Sequence, residues 1–116
     1  MKIIENVFIT SDDLSNDAFY DLHLNFFPDE AEVTSCIIQA PNNNNIFLVR
    51  AIGLTRDRFL CAVSNTHEPQ KIKFTPVLSN LFFRLQLQIL DPAGDLATIP
   101  NNTQFALVLT FYKNEK

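Results

Sequence analysis

The side chains able to do chemistry are few and scattered. The two histidines fall in different segments, His23 on the polar side of an alternating stretch and His67 in a turn beside Glu68 and Pro69. A metal centre or a nucleophile–base pair needs several such groups to converge, and neither histidine has suitable neighbours, so both read as surface residues. Cys36 and Cys61 lack the C-x-x-C spacing of a zinc knuckle or redox pair. They are expected as buried free thiols, with a Cys36–Cys61 bridge left open if their strands adjoin. Acidic residues gather in two loops, Asp12, Asp13 and Asp17, then Asp29, Glu30 and Glu32. Calcium takes about six to eight oxygens, but Asp13-x-x-x-Asp17 is not calcium-loop spacing and neither loop has the glycine that such a loop turns on. A glycosidase pair would need two carboxylates facing one cleft, and nothing in the sequence places any pair so. Gly53 and Gly94 are the only glycines, which excludes the phosphate-cradling loops that need several at fixed spacing. The expectation is a protein that is not an enzyme, with no catalytic, metal or cofactor-binding residues and no cofactor.

Composition narrows the class further. A chain of 116 residues fits one domain, taken as residues 1–116. Hydrophobic residues make up 47% and charged residues 19%, a globular balance. Eleven Phe stand against two Tyr and no Trp, and Phe fills an interior without bringing a polar atom that needs a partner. The net charge is −4 with nine basic residues, so no nucleic-acid partner is expected, because phosphate binding draws on clustered Lys and Arg. The nearest approach to a patch, Arg50, Arg56 and Arg58 followed by Lys71 and Lys73, reads as scattered solvated charge. No apolar run approaches the roughly 18 residues of a membrane span. The start, Met1-Lys2-Ile3-Ile4-Glu5-Asn6, meets a charge and an amide too early for a signal peptide, so the expectation is a protein made and used inside a cell, or in something assembled there.

The elements that position these residues are strands. Alternation with period two puts one face of a strand into a core, and three stretches show it cleanly. Tyr20, Leu22, Leu24 and Phe26 point one way; Phe83, Leu85, Leu87 and Ile89 alternate with Arg84, Gln86 and Gln88; and Phe105, Leu107, Leu109 and Phe111 hold every second position. Weaker strands are expected over 2–10, 33–40, 46–54, 58–64 and 70–75, giving about eight. Turn chemistry separates them: Phe27-Pro28-Asp29-Glu30, Pro41 with the run Asn42 to Asn45, Asn65 to Pro69, Asp91-Pro92-Ala93-Gly94-Asp95, and Ile99 to Thr103. Two short helices are also expected, over 12–19 with Ser11 or Asp12 as N-cap, and over 77–81. The fold class that follows is all-β, an antiparallel two-sheet β-sandwich. A jelly roll of about eight strands is one closure that protects edges; an immunoglobulin-like sandwich would bring a buried Trp against bridged cysteines, and Trp is absent.

The last strand is apolar on both sides. Ala106, Val108, Thr110 and Tyr112 form its second face, and Phe82 and Leu90 flank the polar face of the strand before it. A sandwich strand normally keeps one face wet, so something must cover these residues, either a loop of the same chain or another subunit. An exposed apolar patch marks a contact surface. Phe82, Leu90, Ala106, Val108, Thr110 and Tyr112 are therefore the candidate contact residues.

The stretch from Thr75 to Phe111 also carries a resemblance. Thr75-Pro76-Val77-Leu78-Ser79-Asn80-Leu81 leads into Phe82-Phe83-Arg84-Leu85-Gln86-Leu87-Gln88-Ile89-Leu90, then the turn Asp91-Pro92-Ala93-Gly94-Asp95, then Phe105-Ala106-Leu107-Val108-Leu109-Thr110-Phe111. This resembles the closing segment of small single jelly-roll proteins, minor capsid and penton-like, of double-stranded DNA viruses. The connection from Asp95 to Thr103 is longer than the family pattern. The resemblance implies a single jelly roll and a viral structural role in the virion, assembled inside the host cell, through self-association and contacts with other capsid proteins. An alternative on the same fold is a ligand-binding β-sandwich for carbohydrate recognition or host attachment, with Tyr20, Tyr112 and the acidic loops as its only candidates.

Overall fold

Eight strands and no helix make up the described residues, 2–114 of a computed structural model. They are β1 (Lys2–Ser11), β2 (Asp17–His23), β3 (Glu30–Gln39), β4 (Phe47–Ile52), β5 (Cys61–Val63), β6 (Ile72–Phe74), β7 (Phe82–Leu90) and β8 (Gln104–Asn114). Two four-stranded sheets result, one in the order β1-β8-β3-β6 and one in the order β2-β7-β4-β5. Every pairing is antiparallel. The pairing is also nested: β1 with β8, β2 with β7, β3 with β6, β4 with β5. The β3–β8 and β4–β7 pairings then join these hairpins into sheets. The expected β-sandwich is the observed architecture.

Alternation builds the core as the sequence implies. Phe105, Leu107, Leu109 and Phe111 of β8 are buried, as are Leu85, Leu87 and Ile89 of β7, Val33, Cys36 and Ile38 of β3, and Phe47, Val49 and Ala51 of β4. Each large side chain so buried contributes about 1.5–3 kcal/mol, and together they form one contiguous cluster between the sheets. β8 sits between β1 and β3, and β7 between β2 and β4, so the two cleanest alternating stretches are interior strands.

Both expected helices are absent. The segment 12–19 is a bend followed by the start of β2. Ser11 Oγ accepts from the Asp13 amide, and Ser15 Oγ both accepts from the Asp17 amide and donates to the Asp17 carbonyl. Ser and Asp residues that bond nearby main chain in this way compete with helical hydrogen bonds. Ala18 then continues the inward parity of Tyr20 and Leu22, so the strand starts at Asp17 and stops at His23, three residues earlier than the alternation alone implies. The segment 77–81 has no regular structure and ends in a bend, with the Val77 amide donating to the Leu54 carbonyl at 2.7 Å. The long connection after Asp95 doubles back on β7: the Ala97 amide donates to the Ile89 carbonyl, and Leu96 bridges Leu90.

Backbone requirements explain the connections. Asn42 and Asn102 take positive φ, in the two turns where Asn runs occur, since Asn tolerates left-handed backbone. Gly94 (φ 93°) closes the Asp91 turn by donating to the Asp91 carbonyl. Gly53 (φ 94°) is the tighter constraint, because a Cβ there would lie 2.7 Å from the Arg84 carbonyl oxygen.

Candidate contact surfaces

The outward residues of the two sheets form two separate faces. In antiparallel pairs, residues directly opposite share a face. Around β8 the register therefore sets Ile4 beside Tyr112, Asn6 beside Thr110, Phe8 beside Val108 and Thr10 beside Ala106. On the other side of β8, Glu30 lies beside Tyr112, Glu32 beside Thr110, Ser35 beside Val108 and Ile37 beside Ala106. Among the described residues no loop closes over this face: Phe8 is 68% exposed and Ile4 56%. Ala106, Val108 and Ile37 are half-buried on the same face. The apolar part of the face thus runs Phe8, Val108, Ala106, Ile37, with Ile4 beyond Asn6 and beside Tyr112.

Its other part is a polar network within the sheet. A β-bulge between Val33 and Ser35 inserts Thr34, which turns its hydroxyl to Thr110. Thr110 Oγ1 donates to Asn6 Oδ1 at 2.8 Å. That uses the one Thr110 hydroxyl proton, so Thr34 is the donor in the remaining bond. β1, β8 and β3 are thereby linked by side chains as well as by main chain. Tyr112 donates its hydroxyl to Glu32 Oε1 at 2.7 Å, and Lys2 Nζ stands 5.0 Å from the centre of its ring. The bond to Glu32, then burial, then the charges of Glu32 and Glu30 push the Tyr112 hydroxyl above its ordinary pKa.

The outer face of the second sheet carries the remaining candidates. His23 stacks on Phe82 with ring centres 4.0 Å apart and planes 3° from parallel, because the β2–β7 register sets them opposite each other. Phe82 is 72% exposed and Phe19 59%. Arg84 pairs with Asp21 at 3.0 Å and also lies 5.9 Å from the Phe19 ring centre. Gln86 donates to Asp17 at 2.9 Å. An open depression of about 450 Å³ is lined by Asp21, Leu22, His23, Phe82, Phe83 and Arg84. Leu90 shares the parity of Phe82 but is 4% exposed, with Leu48 opposite it and Leu96 bridged to it.

The six residues singled out in the sequence therefore do not form one surface. Ala106 and Val108 belong to the apolar strip. Thr110 and Tyr112 are occupied by the polar network beside it. Phe82 lies on the opposite side of the sandwich, and Leu90 is covered within the chain. The sequence reading missed Ile4 and Phe8, although their alternation in β1 signals them, and Phe19, which the expected helix over 12–19 hid.

Several of the acidic side chains are tied down within the chain, and Asp17, Glu30 and Glu32 lie in strands β2 and β3 rather than in loops. Asp13 accepts from the Asn102 amide, Asp29 from the Asn114 amide, and Glu32 from Tyr112. Among the described residues no three His, Cys, Asp or Glu side chains gather as a metal site would require, and no helix is long and apolar enough to cross a membrane. Cys36 and Cys61 are both buried free thiols. The neighbouring Cys61 thiol, then burial, push Cys36 above its ordinary pKa. Comparison with known proteins gives no further identification: no family model matches the chain, and no curated protein or solved structure matches it.

Proposed function

We propose that this chain is a jelly-roll structural subunit of a virion, assembled inside the host cell, that acts through contacts with copies of itself and with other capsid proteins. The nested strand pairing supports the jelly-roll reading. Eight strands folded so that the first pairs with the last, the second with the seventh and so on inward form a rolled hairpin, and such double-sheet jelly rolls serve in viral capsids and lectins. The observation that carries the structural role is the exposure of large apolar side chains on both outer faces: Ile4 and Phe8 on one, Phe19 and Phe82 on the other. Clustered exposed apolar residues mark contact surfaces, and two opposed faces suit a subunit that meets several neighbours. The resemblance of residues 75–111 to minor capsid and penton-like proteins points the same way.

Light scattering and electron microscopy of the purified protein test this reading. Concentration-dependent oligomers, or particles with regular subunit spacing, are expected. A monomer at every concentration that also fails to bind partner capsid proteins overturns it.

A second reading is favoured by one observation, the His23–Phe82 stack beside Arg84 and Asp21. An exposed aromatic ring flanked by charged donors and acceptors can seat a sugar, with the ring against its apolar face. Phe82, rather than Tyr20 or Tyr112, is then the platform, since Tyr20 points inward and the Tyr112 hydroxyl is taken by Glu32. A glycan array that shows binding lost in Phe82→Ala would favour this reading over the structural one.

A further inference from the structure

Two four-stranded sheets have four edge strands, and three of these edges resist pairing with another chain. β5 and β6 are three residues long, and Lys71 and Lys73 guard β6. β2 carries Asp17 and Asp21 on its outer face. Short strands and charges are the usual means of blunting an edge. β1 is different. It has ten residues and no proline, pairs with β8 along its whole length without a register break, and has no strand on its other side among the described residues. Its only charged residues are Lys2 and Glu5. A long edge with no bulge or proline is a template for another strand.

The sequence of β1 says which strand fits. Two copies related by a two-fold axis perpendicular to the sheet must pair residues of the same parity, or outward side chains would meet inward ones. An axis through Glu5 would set two like charges opposite each other, which is unfavourable. An axis through Val7 would set Phe8 against Asn6 and Ile4 against Thr10. An axis through Asn6 sets Ile4 of each copy against Phe8 of the other, Lys2 against Thr10, and Asn6 against itself. Only this last register pairs the two large exposed apolar residues of the strand, and it does so twice. Val108, beside Phe8 in the same sheet, extends each apolar pair inward from the junction.

We propose that two copies of this chain join by antiparallel β1–β1 pairing centred on Asn6, merging their β1-β8-β3-β6 sheets into one eight-stranded sheet. The proposal rests on the self-association reading above and adds its surface, partner and register. Asn6→Cys places a thiol on the axis, opposite its own copy and within about 4.5–5.5 Å between Cβ atoms. Thr10→Cys places a thiol about 25 Å from its copy, since eight strand residues separate them at about 3.3 Å each. Mild oxidation with copper phenanthroline is expected to give a covalent dimer with Asn6→Cys and monomer with Thr10→Cys, the native thiols being buried. Phe8→Lys, at an exposed position, is expected to weaken dimerisation about tenfold or more while circular dichroism stays unchanged. Self-association of the wild type without cross-linking at Asn6→Cys, or with equal cross-linking at both positions, overturns β1 pairing and leaves the self-association reading standing. A wild-type protein that is monomeric throughout overturns both.

Discussion

Phe111 and Phe82 are the same side chain in opposite circumstances. Phe111 is fully buried between the sheets, and Phe82 is 72% exposed on an outer face. Phe111→Ala would leave a cavity among packed neighbours, and such truncations cost about 3–5 kcal/mol. Phe82→Ala removes a ring that touches chiefly His23, and an exposed substitution of this kind stays within about 0.5 kcal/mol. Denaturant titration of the two variants should give midpoints that differ accordingly; equal losses would mean that the Phe82 face is covered within the chain. The glycines make a second contrast. Both sit at φ near +93°, where an added side chain is strained. Gly94 has open space around it, so Gly94→Ala is expected to cost about 1 kcal/mol. At Gly53 the new Cβ would meet the Arg84 carbonyl oxygen at 2.7 Å, and β4 would have to shift against β7. Gly53→Ala is expected to cost about 3 kcal/mol or more. Similar losses at both positions would show that the Arg84 main chain yields easily.

Among the elements, β8 carries the argument about contacts. Its inward residues are wholly buried, and its outward residues divide between the apolar strip at Ala106 and Val108 and the polar network at Thr110 and Tyr112. Val108→Asp puts a charge beside Phe8, on a face that water can still reach. Its expected cost to folding is about 1 kcal/mol, while association through this face is expected to be lost. Thermal unfolding and light scattering on the same sample separate the two effects, and a loss of both in step would contradict an open face. The strands themselves were legible wherever alternation was strict: β7 and β8 lie within a residue or three of the expected bounds, with inward and outward residues assigned correctly. Alternation identifies a buried face because each strand is packed on one side whatever its neighbours are. Two other things do not follow from alternation. The first is whether a polar stretch such as 12–19 coils or extends, which was decided here by Ser11 and Ser15 bonding local main chain and by the continued parity of Ala18. The second is which outward residues share a surface, since that depends on sheet order. Phe82 and Val108 look alike along the chain and end on opposite sides of the molecule.

At the scale of the molecule, the two sheets are held face to face by one core, and Cys36 and Cys61 are buried neighbours within it. Cys36 belongs to β3 in one sheet and Cys61 to β5 in the other. The Cys61 thiol beside it and burial hold the Cys36 thiol far above its ordinary pKa of 9.0, so the folded protein keeps this proton at alkaline pH. The unfolded chain releases it near pH 9. Above that pH the folded state binds more protons than the unfolded state, and stability must fall as pH rises. Below about pH 8 both states are protonated and the contribution is constant. Between pH 9 and 10 the expected loss is about 1 kcal/mol, the free energy of ionising one ordinary thiol in the unfolded chain alone. Tyr20, raised by burial, and Tyr112, raised first by its bond to Glu32, act with the same sign but only from about pH 10, where free tyrosine ionises. The lower window therefore isolates the cysteine. Urea titrations at pH 8, 9 and 10 on the wild type and on Cys36→Ala measure it: the variant starts less stable, having lost buried volume, but its decline between pH 9 and 10 should be smaller by about 1 kcal/mol. Parallel declines in the two proteins would show that Cys36 ionises as readily in the folded sandwich as in the unfolded chain, and that water reaches the core between the sheets.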